Sequence, residues 1–169
     1  MKKITIIGSG NIGFSLAKGL VKSGKYSPHD ITLTRRSLAA LGEEKAMGFQ
    51  VSDDNKQAIL GSDVIILCIL PQQAKKVMEQ IAPHLTAQQL FVSVVSGLSC
   101  SEIRAVIGKE VEIVRAMPNT AIAIGESMTC ISTDTASQAA VGLVEDIFES
   151  VGAVVTIEEE LMTSATALC

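Results

Sequence analysis

Short apolar runs alternate with helical stripes along almost the whole chain. Candidate strands are Ile4–Ile7, Ile31–Thr34, Phe49–Val51, Val64–Ile69, Phe91–Val95, Glu112–Ala116, Met128–Ser132 and Ala153–Ile157. In Asn11–Ser23 the apolar residues Ile12, Leu16, Leu20 and Val21 recur at steps of three and four, the period of an amphipathic helix. Asp134–Ser150 carries a second such stripe in Ala139, Leu143, Ile147 and Val151. Gln72–Ile81 is a third helix, with Pro71 suited to its first turn. Strands alternating with helices predict an α/β fold: a doubly wound, mostly parallel sheet of about eight strands with helices on both faces. Val64–Ile69 is apolar at every position, as befits a central strand covered on both sides.

Composition supports that layering. Hydrophobic residues make up 47% of the 169, yet aromatics only 3%, so the core is aliphatic. The net charge of −4 is dispersed, with neither a basic block nor an aromatic platform, which gives nucleic-acid binding no support. Val64–Leu70, the longest apolar stretch, is far too short to span a bilayer, and the start lacks the apolar region of a signal peptide. Cys68, Cys100, Cys130 and Cys169 form no CxxC pair, so a metal site is not expected; reduced thiols in a cytoplasmic protein are.

Open parallel sheets bind ligands beyond the carboxyl ends of their strands, so the residues that follow each strand are the candidates. After the first come Gly8, Ser9, Gly10, Asn11, Ile12 and Gly13. GxGxxG between a strand and a helix suits a dinucleotide. The first glycine turns the chain, the second admits a diphosphate, and the third lets the helix pack on the strand. After the second strand come Arg35, Arg36 and Ser37, with no acid for a ribose 2′-hydroxyl. Two guanidiniums suit a 2′-phosphate, so NADP is favoured, with NAD the alternative. Arg36 could equally point to solvent. Ser96-Gly97 is small enough for a cofactor to lie against, and Asn119 offers the donor and acceptors of a carboxamide, or else an Asx-turn cap.

His29 and His84 both precede strands, on the wrong edge for catalysis. Glu158-Glu159-Glu160 is simplest as the acidic first turn of a last helix. No Ser-His-Asp set, HExxH helix or paired-carboxylate motif can be assembled, so no catalytic side chain is assigned, and the chemistry falls to a cofactor.

Several stretches carry a resemblance to the pyrroline-5-carboxylate reductase family: "IGSGNIGFSLAKGL", "DVIILCILPQQ", "VSVVSGLS", "IVRAMPNTAIAIGESMT" and "LMTSATALC". The Arg-x-Met-Pro-Asn-Thr run is the most specific. The resemblance implies hydride transfer from NADPH or NADH to the cyclic imine 1-pyrroline-5-carboxylate, giving L-proline. It implies that the glycine loop, Arg35 to Ser37, Asn55, Cys68, Ile69, Leu70 and Pro71, and Val94, Val95 and Ser96 line the dinucleotide, with Asn119 at its nicotinamide end. Leu70, Ala121 and Ser127 depart from the family's usual Lys, Pro and Gly. Residues 1–157 then form the dinucleotide-binding domain, and 158–169 begin a helix leading to a helical domain that completes a homodimer or higher homo-oligomer. The alternatives are another NADP-dependent imine or ketone reductase, or a non-catalytic nucleotide-binding module.

Overall fold

The computed structural model describes residues 2–165. Its sheet has eight strands: β1 (Ile4–Ile7), β2 (Ile31–Thr34), β3 (Gln50–Ser52), β4 (Val64–Leu67), β5 (Leu90–Ser93), β6 (Glu112–Pro118), β7 (Ser127–Ser132) and β8 (Gly152–Thr156). Their spatial order is β3-β2-β1-β4-β5-β6-β7-β8. All pairs are parallel except β6 with β7. The helices are α1 (Asn11–Lys22), α2 (Gly42–Ala46), α3 (Asn55–Ala58), α4 (Pro71–Ile81), α5 (Cys100–Ile107), α6 (Gln138–Glu149) and α7 (Met162–Ala165). The doubly wound, mostly parallel fold is the expected one.

Strand periodicity divides the core. Ile4 and Ile6 of β1, with Val64 and Ile66 of β4, face one side with Leu16 and Leu20 of α1 and Val144 and Phe148 of α6. Ile7, Ile65 and Leu67 face the other, against Ala74, Met78 and Ile81 of α4 and Ile103 and Ile107 of α5. Successive strand residues point to opposite faces, so a run of four apolar residues serves two cores at once. Three predicted edges move by two residues, and the starts of β5 and β7 and both edges of β3 and β8 by one. β4 ends at Leu67 and β5 at Ser93, short of the expected Ile69 and Val95, while β6 runs on to Pro118. Helix α6 starts at Gln138 behind its Ser137 cap, and Ala140, Val141, Val144, Ile147 and Phe148 make its buried face; Ala139 is exposed.

The register across β5, β6 and β7 shapes the site. Ser93, the last residue of β5, lies opposite Arg115, and Ala116–Pro118 continue past it with only β7 as partner. These strands therefore stand above the carboxyl edge of the parallel sheet by three residues, ~10 Å at strand rise. The last predicted helix begins later than expected. A 3-10 turn, Glu159–Leu161, precedes α7, and 166–169 lie outside the described residues.

Candidate dinucleotide site

Strand order reverses at β1: the chain goes outward through β2 and β3, then returns to pair β4 on the other side of β1. Helices on opposite faces diverge there and leave a crevice at the carboxyl ends of β1 and β4. The glycine loop lies in it. Gly8 and Ser9 both donate their N–H to Thr34 O, at 3.2 and 2.8 Å, which ties the loop to the end of β2. Gly8 has φ +102°, a conformation that glycine accepts without cost, and a Cβ there would sit 2.3 Å from Cys68 O. A Cβ on Gly13 would sit 2.3 Å from Gly8 O and 3.1 Å from Ile6 Cγ2. The third glycine is therefore what lets α1 close onto β1. A Cβ on Gly10 would meet nothing within 4 Å, so that face of the loop is open. Gly10 is the N-cap of α1, and no side chain caps the helix. Its first N–H groups are left with the positive end of the helix dipole, a setting that attracts an anion. These features fit a dinucleotide diphosphate.

A cleft of about 380 Å³ opens over this tip. Ser9, Gly10, Asn11 and Ile12 line it, and so does Arg35 from the end of β2. Arg35 donates from Nη1 to Ala40 O at 3.2 Å, which folds the following loop over its guanidinium. Five of the residues expected from sequence thus meet in one cleft. Arg36 and Ser37 are exposed outside it; Arg36 takes the solvent-facing alternative, and Ser37 precedes the 3-10 turn Leu38–Leu41.

The other expected residues lie at the same sheet edge but not on the cleft wall. Asn55 opens α3 and accepts from Thr34 Oγ1 at 2.6 Å, so its carbonyl oxygen is committed to β2. Cys68 follows β4, and burial pushes its thiol up to about 12, so it is a neutral thiol and not a nucleophile. Ile69 is half-buried, Leu70 is the 65% exposed residue before α4, and Pro71 is that helix's first residue. Val95 is buried in the core, so it can offer a ligand only backbone; Val94 is half-buried and Ser96 exposed. Asn119 caps the 3-10 turn Thr120–Ile124, its Oδ1 accepting from Ala121 N at 3.2 Å and Met128 N at 3.4 Å. The Asx-cap alternative holds for that oxygen, and the NH2 is what remains for a ligand.

Several cleft residues carried no signal in sequence. Lys18, on α1, lies 4.4 Å over the Phe14 ring. Thr120, Ile122 and Ala123 close the far wall from the turn after β6. Glu43 and Glu44 enter from α2. Glu44 is buried, and its Oε1 accepts from Ser9 Oγ at 2.6 Å. An acid-rich GEEK stretch looks like a solvated turn; only the fold brings it to the loop 35 residues earlier.

Glu159 also departs from expectation. Its carboxylate is no mere helix-end charge: Oε1 accepts from Cys100 N at 2.7 Å and Arg115 Nη1 at 3.1 Å. Burial works against the charged form, but these donors hold the carboxyl below its usual range. Burial first, and then the Glu159 charge, push the Cys100 thiol up to about 12. Both histidines sit in 3-10 turns before β2 and β5, as expected. Among the described residues no group of His, Cys, Asp and Glu could hold a metal ion, and no helix is long and apolar enough to cross a membrane.

A family model described as "NADP oxidoreductase coenzyme F420-dependent" matches residues 3–97, from β1 through the loop after β5. The chain belongs to that family. It is also similar along nearly its whole length to pyrroline-5-carboxylate reductases. One from Dictyostelium discoideum, pyrroline-5-carboxylate reductase 2, is 41% identical over 184 aligned positions, covering 99% of this chain and 62% of that protein. The solved Coxiella burnetii pyrroline-5-carboxylate reductase superposes with a TM-score of 0.94 at 33% identity, covering 99% of this chain and 63% of that one. The Plasmodium falciparum pyrroline carboxylate reductase, solved with NADP bound, gives 0.88 at 26% identity, covering 99% and 62%. The chain thus spans less than two thirds of the length of these relatives.

Proposed function

We propose that this chain is the cofactor-binding portion of a pyrroline-5-carboxylate reductase, which reduces 1-pyrroline-5-carboxylate to L-proline in proline biosynthesis. The carrying observation is the open glycine loop at the uncapped tip of α1, sharing one cleft with Arg35 at the point where strand order reverses. Likeness to enzymes of that name along 99% of the chain supports the substrate.

NADPH, when bound, supplies the hydride. The chain's own residues bind and orient. The α1 tip holds the diphosphate through N–H groups and dipole, with Gly10 leaving the approach clear. Arg35 pairs with the 2′-phosphate through charge-assisted hydrogen bonds. Beyond that cleft, Cys68 to Pro71 and Val94 to Ser96 border the dinucleotide along the strand ends, and the Asn119 NH2 donates near the reacting end. No side chain of this chain is assigned a proton-transfer role. Residues 1–157 form the dinucleotide-binding domain; 158–169 lead toward a helical domain that completes the substrate pocket and a homo-oligomer, acting in the cytoplasm.

Calorimetric titration with NADPH and with NADH tests the binding. An assay of NADPH oxidation with pyrroline-5-carboxylate, on the protein extended beyond Cys169, tests the reaction. Absence of binding by either dinucleotide overturns the proposal.

A further inference from the structure

The ribose end of the cleft holds more than cations. Arg35, Glu43 and Glu44 all belong to the short connection between β2 and the end of α2, and all three line the cleft. Arg35 bonds to Ala40 O within that connection, so the guanidinium and the two acids share one small loop. Glu43 is exposed, where solvent and salt screen it. Glu44 is 4% exposed and held by Ser9 Oγ at 2.6 Å, so its charge cannot swing away. Among the described residues, neither Arg35 nor Glu44 takes part in an ion pair.

We propose that Glu44 sets the dinucleotide selectivity of this cleft, its carboxylate offsetting Arg35 so that NADPH and NADH bind with similar affinity. The inference rests on the dinucleotide reading of the site. A 2′-phosphate is drawn to the guanidinium and repelled by the fixed carboxylate, whereas a free 2′-hydroxyl is uncharged and can donate to a carboxylate. The diphosphate is common to both ligands, so its interaction with Glu44 drops out of their affinity ratio.

The test is titration of the chain with each dinucleotide, comparing unmodified protein with Glu44→Gln. Gln keeps an acceptor for Ser9 and removes the charge, so the NADPH-over-NADH preference rises about tenfold. Equal changes for both ligands in Glu44→Gln overturn the proposal. A salt series on the unmodified chain is independent of any variant's folding. Similar slopes for the two ligands are expected, and a clearly steeper slope for NADPH overturns the proposal. If the unmodified chain binds neither, the dinucleotide reading itself fails, a result distinct from either of these.

Discussion

Arg115 and Glu159 are joined across 44 residues: the guanidinium of a β6 residue donates to Glu159 Oε1 at 3.1 Å, on the same oxygen that accepts from Cys100 N. Arg115 is level with the end of β5, and Cys100 opens α5, which follows the loop after β5. One carboxylate therefore ties the segment leaving β8 to the start of α5 and to β6. The Arg115 side chain is only 10% exposed, so loss of its partner strands a charge.

Glu159→Ala should cost about 2 kcal/mol, discounted from a fully buried pair because Glu159 is partly exposed, and lower the Tm by about 4–8 °C. Calorimetry checks this; a change under 1 °C would show the pair to be ornamental.

The same carboxylate gives acid sensitivity. A folded-state pKa below the unfolded one contributes stability above the unfolded value and loses it as pH falls through the folded one. Glu112, bonded to Ser137, and Asp63, bonded to Lys3 N, are likewise lowered and act in the same direction. Stability should therefore fall below about pH 4.5, the range of unperturbed carboxylates. Glu159→Gln should flatten part of that fall in a Tm-against-pH series.

The second and third glycines of the loop separate folding from binding. Gly13→Ala forces a Cβ against Gly8 O and should destabilise by about 2–4 kcal/mol, seen in urea unfolding. Gly10→Val meets open space, so the fold should stand while dinucleotide affinity falls more than tenfold, by obstruction of the diphosphate. An unfolded Gly10 variant, or one with unchanged affinity, contradicts this division.

Arg35→Ala should weaken NADPH about tenfold and NADH much less, since only the former carries the 2′-phosphate. Equal losses remove Arg35 from that role.

Cys68 and Cys100 should resist alkylation. With thiols raised to about 12, only about one in ten thousand is ionised at pH 8, against roughly a quarter of an ordinary thiol. Peptide mass spectrometry after iodoacetamide treatment of folded and urea-unfolded protein measures the contrast.

The strand framework was legible because β-branched runs bounded by glycine and polar clusters leave few alternatives; β1 and β2 match residue for residue. Of the α6 stripe, Leu143, Ile147 and Val151 do face the core, and Ala139 alone was misplaced, because it and Ala140 look alike to a periodicity argument and only the Ser137 cap fixes the start. The antiparallel turn at β7 follows from a connection too short for a parallel crossover, a signal present in the spacing from Pro118 to Ser127. The glycine loop and Arg35 were readable because their chemistry is local. Glu44 and Glu159 were not: each gains its meaning from a partner more than thirty residues away, and in sequence both sit in ordinary acidic turns.

The extension of β6 and β7 past the last residue of β5 gives the crevice a stop at one end. From β2, where Arg35 stands, four strand spacings lead to this barrier, ~19 Å of sheet. For the dinucleotide proposed above, anchored at the guanidinium, that ledge would serve as the ruler against which its far tip is measured off.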